Sequence, residues 1–80
     1  MVRVIRRGRY RVYVFPESGE RHHRPHCHIY WPDGSAVVAL DDLRVLEGDR
    51  LSTEARALLQ EFEQALWQAW SALNTEGSES

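Results

Sequence analysis

All four histidines and the only cysteine of this 80-residue chain lie within seven consecutive residues, His22-His23-Arg24-Pro25-His26-Cys27-His28. Imidazole gains or loses charge near neutrality and is the commonest metal ligand. Chemistry performed by this chain is therefore expected in that stretch. Successive residues of a strand point to opposite faces, so a strand starting at His26 projects His26 and His28 side by side and turns Cys27 away. Pro25 has no N–H to give to a ladder and marks the start or the edge of that strand.

Three roles suit the pair. In the first, His26 and His28 act as base and acid in phosphodiester transfer on RNA, since imidazole can both give and take a proton near neutrality. Arg9, Arg11, Arg21 and Arg24 lie close in sequence and would stabilise the developing negative charge, while Tyr13 and Tyr30 offer rings for bases. In the second, the H-x-H strand binds a metal. Zinc needs three or four ligands, so His22 or His23 would have to join His26 and His28. Cys27 faces away, and Asp41 or Asp42 contributes only if the next strand brings it near. Zinc is the one cofactor this reading implies; the others imply none. In the third, the histidines pack structurally, bonding to backbone or water, and Cys27 is a small buried hydrophobe. The doublet His22-His23 then belongs to a solvated loop.

These residues need elements to position them. Val4-Ile5 and residues 10–15 are rich in β-branched and aromatic side chains, with Arg7-Gly8 as the turn between two strands. Tyr10, Val12 and Val14 share a core face, and Arg9, Arg11 and Tyr13 share the other. Residues 16–25 are polar and read as an exposed loop. A third strand spans 26–31, Pro32-Asp33-Gly34-Ser35 makes a hairpin turn, and a fourth strand spans 36–40. Residues 41–51 read as a linker with at most a helical turn.

Ser52 then caps a helix, with Glu54 favourably placed at its N-terminus. Ala55, Leu58, Leu59, Phe62, Leu66, Ala69, Trp70 and Leu73 recur at steps of three and four, one apolar stripe for covering the sheet. Trp67 falls roughly 140° from Phe62 at 100° per residue, on the polar side. An exposed tryptophan there suits a dimer or partner contact.

Composition sets limits. The apolar fraction of 42% and charged fraction of 28% fit an ordinary globular domain. One cysteine cannot close an internal disulfide, which suits a reducing cytoplasm. No apolar run approaches the length of a membrane span or a signal segment, so neither insertion nor export is expected. The net charge of −2 hides a division. Residues 1–31 carry seven arginines against two acids, and residues 32–80 carry three arginines against ten acids. There is no lysine; arginine favours planar, bidentate contact with phosphate or carboxylate. A domain with one basic and one acidic side follows, suited to nucleic acid or to an acidic neighbour.

The order of these pieces resembles a family of small prokaryotic proteins, domain of unknown function 4160. The matching pieces are Val4-Ile5-Arg6, Gly8-Arg9-Tyr10-Arg11-Val12-Tyr13, and Arg24-Pro25-His26-Cys27-His28-Ile29. A short strand ending Ala39-Leu40 comes next, then Gly48 with Leu51-Ser52, and a helix closing on Ala69-Trp70. The resemblance covers residues 2–73, and its most specific part is the Pro-His-x-His block at Pro25, His26 and His28. Two departures matter. The position between the histidines is usually aliphatic in the family and is Cys27 here, which supports a buried hydrophobe over a nucleophile. His22 and His23 fall outside the motif, so no family role passes to them. The resemblance implies a place in toxin–antitoxin-like gene pairs, without an established activity. Such pairing suits the charge division, because a toxin's basic surface is commonly masked by its partner.

The sequence thus predicts one α+β domain over residues 1–74 with a disordered tail over 75–80. Its sheet is small, mostly antiparallel and three- to four-stranded, with one long C-terminal helix on one face. The expected function is that of a cytoplasmic toxin–antitoxin-type component, a homodimer, binding RNA or a cognate small protein. Arg9, Arg11, Arg24, Tyr13 and Trp67 are the expected contacts around His26 and His28. An RNA-cleaving enzyme, a metal module with His23, His26 and His28, and a purely structural role are the alternatives.

Overall fold

In the computed structural model, which describes residues 2–15 and 24–73, the β-branched and aromatic runs form a meander. Strands β1 (Val2–Arg7), β2 (Tyr10–Val14), β3 (His26–Trp31), β4 (Gly34–Ala39) and β5 (Val45–Gly48) pair in sequence order, each neighbour antiparallel. Helices α1 (Thr53–Glu61) and α2 (Glu63–Leu73) follow. The class is α+β. Among the described residues no helix is long and apolar enough to cross a membrane. Residues 16–23 of the expected loop and the expected tail at 75–80 lie outside the described residues.

The fifth strand corrects the expected three- to four-stranded sheet with a linker after it. The Arg44 N–H donates to the Asp42 carboxylate at 3.0 Å, and Leu43 adopts a φ of 56°. The Ala39 N–H donates to the Arg44 carbonyl at 2.9 Å, so the chain reverses directly onto β4. Val45 then sits opposite Val38, and Glu47 opposite Val37. Arg56 of α1 donates to the Leu43 carbonyl at 2.7 Å and ties the reversal to the helix. Gly48 closes the strand with a φ of +103°, where a Cβ would stand 2.6 Å from the Ser35 carbonyl oxygen.

The single long helix is corrected too. Phe62, at φ −107° and ψ 21°, leaves helical geometry and divides the segment in two. The apolar stripe runs through the interruption because the hydrogen bonds do. Phe62 N–H still donates to Leu58 at 3.2 Å, and Leu66 N–H to Phe62 at 3.0 Å. Ser52 caps α1 as expected, its Oγ accepting from the Ala55 N–H at 3.0 Å. The Tyr10 hydroxyl, 3.2 Å from that Oγ, locks the cap to β2.

Register sorts the side chains by face. Val12, Ile29 and Ala36 lie in one row and Cys27 faces Val38 in the next, all of them buried. The helices supply Ala55, Leu58, Leu59, Leu66 and Trp70 against this side, which makes it the core. The opposite face carries the remaining residues of each strand. Its rows read Arg3, Tyr13, His28, Val37, Glu47 and Arg6, Arg11, Tyr30, Ser35.

Candidate nucleic-acid interface

Arg3 and Arg6 share this second face because of an irregularity. Strict alternation would separate them, but the pairing shifts between Arg3 and Ile5 and absorbs Val4 as an extra residue. Arg3 then stands opposite Tyr13 and Arg6 opposite Arg11, while Ile5 turns into the core. All three arginines are exposed, and no ion pair joins them to a carboxylate among the described residues.

Beside them lies an aromatic cluster. Tyr13 meets Tyr30 edge-on at 5.7 Å between centroids and stacks with Phe15 at 6.3 Å. Phe15 meets His28 edge-on at 4.6 Å, and His28 stacks with Tyr30 at 6.4 Å, 18° from parallel. All four rings are half-buried, so each keeps part of its surface at the face. A shallow depression running past His28, Tyr30, Ser35 and Val37 to Gly48 continues the cluster toward β5.

The histidine pair is side by side as the alternation requires, with ring centroids 5.4 Å apart. Its members differ sharply in access. His28 is half-buried in the aromatic cluster, whereas His26 is only 1% exposed. The His26 ring lies 5.2 Å from that of Trp70, and its Nδ1 is 2.8 Å from the Arg24 carbonyl. A carbonyl only accepts, so Nδ1 carries the proton in that bond. His26 is held by main chain and packing; His28 keeps part of its surface at the outer face, although its Nε2 is buried.

The arginines expected near the pair are distributed differently. Arg11 alone joins the aromatic face. Arg9 sits in the β1–β2 turn, where strand alternation does not apply. Its guanidinium reaches the helix side, 3.3 Å from the Tyr10 hydroxyl and 3.9 Å from Glu54. Arg24 binds both oxygens of Asp41 at 2.7 and 2.9 Å and stands 3.6 Å from Asp42. The hydrogen bond from Arg24 holds the Asp41 carboxyl below the usual carboxylate range. Phosphate would have to displace that carboxylate to engage Arg24. Arg21 lies outside the described residues.

A model of the family described as "Domain of unknown function (DUF4160)" matches residues 10–75. The chain belongs to the DUF4160 family. No curated protein and no solved structure matches the chain significantly. The DUF4160 match takes in Arg11, Tyr13, Pro25, His26, His28 and Tyr30 and begins after Arg3 and Arg6. It thus spans the aromatic cluster and the imidazoles, and leaves out two of the three face arginines.

Within this DUF4160 chain the remaining candidates fall as follows. Cys27 is fully buried on the core side, and burial pushes its thiol up to about 12, which suits a hydrophobe and not a nucleophile. Among the described residues no three His, Cys, Asp or Glu side chains gather as a metal ion would need. His22 and His23 lie outside the described residues. Trp67, expected on a polar surface, is half-buried and packs against the core. The buried line of α2 runs through Leu66 and Trp70, and Trp67 is only about 60° from Trp70 around the helix. Measuring from Phe62, at the interruption, misplaced it. Arg3, Arg6 and Phe15 were missed: the register brings the two arginines to the site, and Phe15, just beyond β2, joins it through its contacts with Tyr13 and His28.

Proposed function

We propose that this protein is a toxin–antitoxin-type component that binds RNA through the face of its sheet opposite the core. One observation carries the reading: Tyr13, Phe15, His28 and Tyr30 cluster beside three exposed arginines that no carboxylate neutralises among the described residues. Arginine supplies the phosphate contacts, and rings supply stacking surfaces. The toxin–antitoxin setting rests on family resemblance and on the division of charge along the chain. The burial of His26 favours binding over acid–base cleavage, because a substrate phosphate meets only one of the two imidazoles.

The test is fluorescence anisotropy of a labelled RNA oligonucleotide at two salt concentrations. Saturable binding that weakens steeply between about 50 and 200 mM salt is expected. Binding insensitive to salt, or no binding at all, would overturn the reading. Binding of an acidic peptide in place of RNA, lost on substitution of Arg11, would give the same face to a protein partner instead.

A further inference from the structure

We infer that the ligand is single-stranded, with its phosphates along β1 and β2 and its bases laid over Tyr13, His28 and Tyr30; this rests on the RNA-binding reading above. The argument comes from how the two kinds of group are separated. Arg3 and Arg6 stand on β1 and Arg11 on β2. Beyond β2 the face carries His28, Tyr30, Ser35, Val37 and the carboxylate of Glu47, with no guanidinium among the described residues. A backbone lying over the arginines therefore has its bases directed toward β3 and β4.

Ring placement specifies the strand state. Tyr13 and Tyr30 are diagonal neighbours with centroids 5.7 Å apart, and His28 lies 6.4 Å from Tyr30. A base reaches such a ring with its flat face only when it is not held inside a duplex. Sheet surfaces that work this way stack about two or three bases, which agrees with three rings beside three arginines. The contact is expected to be sequence-tolerant, since every base has a stacking face.

The experiment compares one fluorescein-labelled, unstructured RNA of eight nucleotides with the same sequence in a duplex, each across a salt series. Tighter binding of the single strand is expected, with a slope of log affinity against log salt near about −2 for three phosphates at about 0.7 each. Arg11→Gln should shrink that slope by about 0.7. Tyr30→Leu keeps apolar bulk but removes the ring; it should weaken binding by roughly tenfold and leave the slope alone. Arg9→Gln, on the helix side, should change neither. Equal or tighter duplex binding, or full affinity in Tyr30→Leu, would overturn the orientation while leaving RNA binding intact. Absence of binding to either RNA would overturn the underlying reading instead.

Discussion

The carbonyl oxygen of Arg24 lies 2.8 Å from Nδ1 of His26, two residues further along the chain. That bond fixes the imidazole's tautomer at the entry to β3, and Trp70 backs the ring from α2. The neighbouring His28 instead meets Phe15 and Tyr30 on the outer face. Two histidines of one short motif thus have separable duties.

Substituting them one at a time separates those duties. His26→Ala removes a buried ring and a main-chain hydrogen bond, and should lower unfolding free energy by about 2–4 kcal/mol. His28→Ala should cost under about 1 kcal/mol, but reduce RNA affinity several-fold. Urea denaturation and anisotropy measure the two effects. An RNA cleavage assay on the same proteins should show no activity dependent on either histidine. Cleavage lost in both variants, with folding intact, would restore the catalytic pair.

Cys27 offers a prediction in alkali. Its thiol is held at about 12 by burial, above an ordinary value near 9. The folded state therefore keeps a proton that the unfolded state releases. Stability fully present below about pH 9 should decline as pH rises from there toward 12. Cys27→Ala lacks this dependence, so its deficit relative to the native chain should narrow with rising pH. Thermal melts at pH 8 through 11 would show it; parallel curves would contradict it.

At the acid end the relevant group is Asp41. Arg24 lowers its carboxyl below the unfolded value, so the pair contributes above the unfolded pKa and is lost as pH falls through the folded one. Asp41→Asn should melt slightly below the native chain at pH 7 and level with it near pH 2. The effect is small because both partners face solvent, with side-chain exposures of 41% and 53%. A difference that persists in full at pH 2 would mean the loop depends on Asp41 for something other than charge.

Two glycines test the turns. Gly8 has a φ of +59° in open space, so Gly8→Ala should cost about 1 kcal/mol. Gly48 has a φ of +103°, and an added Cβ would press on Ser35 and Ala36 main chain. Gly48→Ala should cost about 2 kcal/mol or more and free the β5 amides to exchange with solvent. Hydrogen exchange would locate the loss; equal effects at the two glycines would contradict this account.

Much of this arrangement was legible from residue order. The alternation of Tyr10, Val12 and Val14 with Arg11 and Tyr13 named the two faces of β2, and burial follows it. The Ser52 cap and the apolar stripe announced the helical segment. What sequence left hidden depended on events with no composition signal. The turn before β5 is made by an aspartate side chain and a left-handed leucine, Asp42 and Leu43, with no glycine or proline inside it. Phe62 interrupts the helix while its neighbours keep the spacing of a continuous one. The roles of Arg9 and Arg24 turned on partners distant in sequence, Glu54 and Asp41, which local reading cannot pair.

The extra residue at Val4 acts as a one-letter frameshift in the code of alternating faces. Downstream of it Ile5 keeps its seat in the core, and upstream Arg3 is delivered outward. Deleting that letter would set Arg3 directly before Ile5, where plain alternation already turns it outward; the ladder's tolerance of Val4 as an extra residue is what lets Arg3 keep that seat. The start of the chain can thus gain or lose this one residue while the outer arginines and the packed interior both keep their places.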